Sequence, residues 1–162
     1  MLKRPTKDVV FIAVAHAMAT RSTCLRRAVG CVLVNARGHV LATGYNGVAA
    51  GVPHCNQRAA DSMLCDADDV FPYACRGAYE SSGNGLDACE AIHAEQNALL
   101  QCRDVFAIDT CYTTTFPCVT CAKLLLNTSC QRIVYVEPYD AGHMLTVERL
   151  WVGAGRVLKQ LP

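Results

Sequence analysis

Four elements of alternating hydrophobic period follow one another between residues 91 and 136. Ala91-Ile-His-Ala-Glu-Gln-Asn-Ala-Leu-Leu-Gln-Cys102 has helical spacing, residues 110–115 are β-branched and aromatic, 118–127 is helical again, and 132–136 reads as a strand. Helix, strand, helix and strand in so short a run leave few folds open. Parallel strands need crossover connections, these are right-handed, and their helices must cover the faces of the sheet. Upstream, residues 6–21 predict a helix with Val9, Val10, Ala13, Val14 and Ala17 on its apolar side and Pro5 and Thr6 at its start. Residues 29–34 and 39–43 predict a hairpin turned at Gly38, and 145–152 and 156–159 a last helix and short strand separated by Gly153 and Gly155. The expected fold is α/β: a three-layer α/β/α sandwich on a mixed five-stranded sheet, in which an antiparallel hairpin is continued by parallel strands.

With 162 residues the chain predicts one domain, 1–162, interrupted by an irregular insertion at 47–90 that holds Cys55, Cys65, Cys75 and Cys89. Apolar burial does not order such a segment, so something else must. A net charge of +1 excludes a long polyanion held by the whole surface, and no nucleic-acid partner is expected. Lys3, Arg4 and Lys7 before the uncharged stretch 9–20 imitate a secretory signal, but Asp8 borders it and His16 interrupts it. No run reaches the length of a membrane span. Eleven cysteines, an odd number clustered around histidines, fit metal ligation in a reducing compartment, so a cytoplasmic location is expected.

The chemistry concentrates in His93-Ala-Glu95 and Pro117-Cys-Val-Thr-Cys121, each opening a predicted helix. One imidazole and two thiolates, from His93, Cys118 and Cys121, supply three zinc ligands and leave a fourth tetrahedral position for water. Helix N-termini favour the thiolates. Glu95, two residues past the histidine, is placed to take a proton from that water and return it to a ring nitrogen and a leaving amine. Alone, each half has an ordinary alternative, a structural zinc knuckle or a chance helix sequence. Together they are the signature of zinc-dependent nucleobase deaminases.

Further residues narrow the resemblance. Gly44-Tyr-Asn-Gly47, Ala50-Gly51, His54-Cys55, His93-Ala-Glu-Gln-Asn-Ala98, Thr115-Phe-Pro-Cys118 and Glu137-Pro-Tyr139 together resemble the deoxycytidylate (dCMP) deaminase family, over a match running from about Arg21 to the C-terminus. The segment 21–30 is similar to its bacterial and phage branch, which includes the late-competence ComE-operon deaminase and carries an extra zinc. The resemblance implies a cytidine-deaminase-like fold, conversion of dCMP to dUMP for thymidylate synthesis, a homohexamer, and regulation by dCTP and dTTP with Mg(2+). It implies catalytic zinc on His93, Cys118 and Cys121, proton transfer by Glu95, sugar contact by Asn46, and substrate contacts by Thr115, Phe116 and Tyr139. The effector region implied is Tyr45, Asn46, Gly47 and Gly51.

By the same resemblance Cys24 and Cys55 are ligands of a second zinc, giving two zincs per chain, with Cys75 and Cys89 completing the set and Cys65 as competitor. Free buried thiols are the alternative for each, and Cys31, Cys102, Cys111 and Cys130 are expected in the core. A nucleoside monophosphate needs a cation, and Arg21, Arg26 and Arg27 precede the first strand; Arg26 is the first choice, against solvated surface arginines. Other zinc deaminases, acting on cytidine or on adenosine in transfer RNA, and a non-catalytic zinc-scaffolded binding protein are the rival readings.

Overall fold

The computed structural model describes residues 4–55, 75, 77, 89–139 and 141–162. Helix α1 (Lys7–Ala19) begins where Thr6 accepts the Val9 amide on its side-chain oxygen at 3.3 Å. Strands β1 (Gly30–Val34) and β2 (Val40–Tyr45) form the expected hairpin, turned through Gly38 at φ 84°. After β3 (Gly47–Val48) and β4 (Ala91–Ile92), a two-stranded antiparallel ladder, come α2 (Ala94–Gln101), a single 3-10 turn at Val105–Ala107, β5 (Thr110–Thr115), α3 (Val119–Leu126), β6 (Arg132–Glu137), α4 (Ala141–Gly153) and β7 (Val157–Gln160). The main sheet has the order β2-β1-β5-β6-β7, antiparallel from β2 to β5 and parallel from β5 to β7. This is the mixed five-stranded sheet read from the sequence.

Side-chain alternation along β1, β5 and β6 divides the core in two. Val32, Val34, Tyr112 and Val134 pack against Ile12 and Ala15 of α1. On the other face Cys31, Leu33, Cys111 and Ile133 meet Ala94 and Ala98 of α2, Ala122 and Leu125 of α3, and Val147 and Trp151 of α4. Two glycines at the open end of the hairpin let helices approach from both sides. A Cβ on Gly30 would overlap the Ala15 carbonyl, and one on Gly44 the Ala94 carbonyl. None of the described helices is long and apolar enough to cross a membrane.

Four readings need correction. The buried side of α1 is Asp8, Ile12, Ala15 and Ala19, whereas Val9 and Val10 are exposed. Asp8 tips the balance, because Tyr112, Arg132 and Lys159 converge on its carboxylate and draw that side of the helix inward. Residues 91 and 92 are strand rather than helix, so α2 starts at Ala94, and α4 starts at residue 141 instead of 145. Cys102 is only half-buried, at the C-terminus of α2, with its thiol on the Asp104 carbonyl at 3.3 Å, while Cys31, Cys111 and Cys130 are fully buried as expected. Cys65, and most of the insertion read at 47–90, lie outside the described residues.

Candidate active site

Both metal-type motifs sit at helix N-caps. His93 caps α2, and the Gln96 side chain accepts the His93 amide at 2.9 Å, which fixes the main chain carrying the imidazole. Cys118 caps α3, receiving the Cys121 amide on its sulfur at 3.5 Å. Just before it, the Phe116 amide donates to the Glu137 carbonyl at 2.8 Å, extending the parallel β5–β6 pairing past the strand end and aiming Cys118 back toward α2. His93 Nδ1 consequently lies 3.4 Å from Cys118 Sγ and 3.5 Å from Cys121 Sγ.

These three ligand atoms fall within 4.8 Å of one another, the sole such group among the described residues. Zinc bonds of roughly 2.0–2.3 Å at tetrahedral angles separate neighbouring ligand atoms by about 3.5 Å, so the donor set and its spacing both fit zinc. The hydrogen bond from Cys121 lowers the Cys118 thiol to about 4, with His93 assisting against burial. Cys121 is pushed up, first by Cys118 and then by burial. His93 is raised, chiefly by its hydrogen bond to Cys118. Glu95, in the first turn of α2 and only 4% exposed, is raised by burial first and by the Cys118 charge second, with His93 opposing.

A cleft of about 550 Å³, counted to its open mouth, joins His93, Glu95 and Cys118 to Asn46, Thr115, Phe116 and Tyr139. Every substrate-contact residue expected from the sequence thus lines one cavity. Asn46 is also a main-chain clamp. Its Oδ1 accepts the Val29 amide at 2.8 Å, its Nδ2 donates to the Arg27 carbonyl at 2.7 Å, and its own amide donates to the Val29 carbonyl at 3.1 Å. Asn97, one turn along α2, donates to the Tyr45 carbonyl at 2.8 Å and ties this loop to the helix bearing Glu95.

The three arginines diverge. Arg21 lies over the Tyr45 ring at 5.9 Å, away from the cleft lining. Arg26 lines the cleft and donates from one terminal nitrogen to the Gly77 carbonyl at 2.9 Å. Arg27 also lines it, stacked on Tyr139 at 5.6 Å. Among the described residues two buried polar side-chain atoms lack a hydrogen-bond partner, Arg27 NH1 and Thr115 Oγ1, and both belong to cleft residues. An unsatisfied buried donor costs about 1–3 kcal/mol, more when charged, so both atoms call for a partner, water or ligand, inside the cleft. Sequence reasoning named Arg21, Arg26 and Arg27 together with Arg26 first, and both Arg26 and Arg27 line the cleft.

The other cysteine group is looser. Cys24 hydrogen-bonds Cys89, and Cys55 hydrogen-bonds Cys75, with Cys24 close to Cys55 and Cys89 close to Cys75. Cys24 is lowered to about 5, first by Cys89, and burial raises Cys55 to about 11. Gly77 sits against Cys89, where a Cβ would come within 2.6 Å of the Cys89 Cα. Of the residues expected at an effector site, Tyr45 is half-buried under Arg21, Gly47 is in β3, and Gly51 turns at φ 84° with open space around it.

Comparison with known proteins places this geometry. Residues 5–137 match the family model for the cytidine and deoxycytidylate deaminase zinc-binding region. The chain is 36% identical over 137 residues to a deoxycytidylate deaminase of Mycobacterium phage D29, covering 83% of this chain and 97% of that one. It is 36% identical over 145 residues to the Schizosaccharomyces pombe deoxycytidylate deaminase, covering 85% of this chain but spanning 39% of the yeast protein's length. In fold it resembles the dCMP deaminase from the cyanophage S-TIM5 crystallised with dCMP and dUMP, at a TM-score of 0.67 and 22% identity, covering 99% of this chain and 100% of that one. With His93, Cys118 and Cys121 converging beside a buried Glu95 inside the matched segment, the chain belongs to the cytidine and deoxycytidylate deaminase family.

Proposed function

We propose that the protein hydrolyses dCMP to dUMP and ammonia. The observation carrying this reading is the convergence of His93, Cys118, Cys121 and buried Glu95 in one cleft with Asn46 and two arginines. Zinc held by His93, Cys118 and Cys121 supplies Lewis acidity that makes water a competent nucleophile near neutral pH. Glu95 accepts a proton from the attacking water and delivers it to N3 of the cytosine as the C4–O bond forms. It then carries the second water proton to the amino group at C4, so that the C4–N bond breaks, ammonia leaves and the uracil carbonyl remains. Phe116, held edge-on to Tyr135 at 4.8 Å, and Tyr139 wall the cleft and exclude water from the base. Asn46 retains one N–H and one lone pair beyond its clamp bonds, enough to donate to and accept from a sugar hydroxyl.

A two-zinc chain is part of this reading. Cys24, Cys55, Cys75 and Cys89 have the ligand chemistry of a closed structural site, and contraction of their two hydrogen-bonded pairs onto one ion would order the base of the insertion. The same reading extends to a single domain over 1–162, to a cytoplasmic enzyme whose thiolates stay reduced, to a hexamer, and to dCTP and dTTP with Mg(2+) acting near Tyr45, Asn46, Gly47 and Gly51. Ammonia release measured on dCMP, deoxycytidine, cytidine and dCTP tests the assignment. Turnover confined to dCMP supports it; equal or faster release from cytidine makes the protein a nucleoside deaminase, and no release from any makes it a zinc-scaffolded binding protein. Sedimentation and rate measurements with and without each triphosphate test assembly and regulation.

A further inference from the structure

We propose that the Thr115 hydroxyl accepts a hydrogen bond from the amino group at C4 of the cytosine and holds that nitrogen as it leaves. The inference deepens the dCMP reading and rests on it. β5 ends in three consecutive threonines, and the first two commit their hydroxyls to the main chain. Thr113 Oγ1 donates to the Thr115 carbonyl at 3.0 Å, and Thr114 Oγ1 accepts the Gly30 amide at 3.2 Å. Thr115 is buried like them, at 4% exposure, yet its Oγ1 has no protein partner. Its main chain is held on both sides. Thr113 takes its carbonyl, it pairs with Glu137 across the parallel ladder, and the next amide, that of Phe116, donates to the Glu137 carbonyl at 2.8 Å. The period of two along β5 puts Thr115 on the face of Cys111, which packs toward α2 and α3, and it lines the cleft with His93, Glu95 and Cys118. The other unpartnered buried side-chain atom among the described residues, Arg27 NH1, only donates, so Thr115 Oγ1 is the buried side-chain acceptor left open. On the cytosine ring O2 and N3 accept, and the amino group alone donates, through two N–H bonds. Glu95, on α2, serves the N3 side of C4, and the amino hydrogen on the C5 side points away from it. Thr115 stands across the metal site, three residues before Cys118, where that hydrogen needs an acceptor. A neutral hydroxyl accepts from the amino group and from the ammonia it becomes, without retaining the product as a salt.

The test compares kcat/KM for dCMP with the inhibition constant of dUMP, which carries no amino group, in zinc-loaded wild type, Thr115→Val, Thr115→Ala and Thr115→Ser. Thermal midpoint and zinc content are read on each. Thr115→Val replaces the hydroxyl by a methyl of the same shape and removes an unpaired buried polar atom, so zinc content stays and the midpoint holds or rises. Its kcat/KM for dCMP falls at least about fivefold, while dUMP inhibits within about twofold of wild type. Thr115→Ser keeps the hydroxyl and recovers most of the loss seen in Thr115→Ala. A kcat/KM for dCMP within about twofold of wild type in Thr115→Val, or a parallel weakening of dUMP, overturns the assignment. Should Thr115→Val not fold, serine and alanine decide: turnover kept in serine and lost in alanine supports the hydroxyl, and equal losses overturn it. A wild type that turns over no dCMP overturns the dCMP reading first, and Thr115 with it.

Discussion

The Lys159 ammonium donates to Asp8 Oδ2 at 2.6 Å, joining residues 151 positions apart in the chain. Asp8 also accepts the Tyr112 hydroxyl at 2.9 Å and faces Arg132 at 3.3 Å, so α1 is bound to β5, β6 and β7 through one carboxylate. Burial acts to raise its pKa, but the hydrogen bonds from Lys159 and Tyr112 and the Arg132 charge prevail and hold it below the usual carboxylate value. A folded pKa below the unfolded one gives stability that is present above the unfolded pKa, about 4, and lost as pH falls through the folded value. Asp8→Asn should therefore lower stability at pH 7 by about 1–3 kcal/mol, the half-exposed cations moderating the loss, and should flatten the acid limb below about pH 4. Urea denaturation at pH 7 and at pH 3 checks both, and equal acid sensitivity in wild type and variant would sink the argument.

Replacing Glu95 by Gln keeps shape and hydrogen bonding but cannot carry a proton. Turnover of dCMP should fall by about 10² to 10⁴ with zinc content and thermal midpoint unchanged. Retention of more than a tenth of the rate would assign the proton transfer elsewhere.

Asn46→Ala removes the Oδ1 and Nδ2 bonds to Val29 and Arg27 together. Each such bond contributes about 0.5–1.5 kcal/mol, so a stability loss of about 1–3 kcal/mol is expected, with a rise in KM for dCMP because the arginine loop loses its registration. Activity falling with no stability change would limit Asn46 to sugar contact.

Metal analysis of wild type should return two zincs per chain. Cys24→Ala and Cys89→Ala, which break one hydrogen-bonded pair from either side, should each return one and lower the thermal midpoint. One zinc in wild type refutes the second centre.

The sheet and the meeting of His93, Cys118 and Cys121 were legible because their signals are local. β-branched runs mark β1, β5 and β6, and both ligand motifs sit where strand or irregular chain turns into helix. The buried side of α1 was not, because the deciding residue is a carboxylate whose burial depends on partners more than a hundred residues downstream. Residues 91 and 92 misled because Ala and Ile carry the helical spacing backward from Ala94, while their strand conformation comes from pairing with Gly47 and Val48. The setting of Arg27 was hidden for a related reason. It is fixed by Asn46 and Tyr139, on two other elements, and neither contact leaves a trace in the local pattern.

The small β3–β4 ladder gives the insertion a doorway. Val48 stands opposite Ala91, so the chain on either side of residues 49–90 is held at one point. The β3–β4 pair thus fixes Val48 and Ala91 as the two junctions at which any exchange of the intervening residues would have to be made. Among the described residues such an exchange would have to keep the Cys55–Cys75 and Cys24–Cys89 hydrogen bonds and the Gly77 carbonyl that holds Arg26.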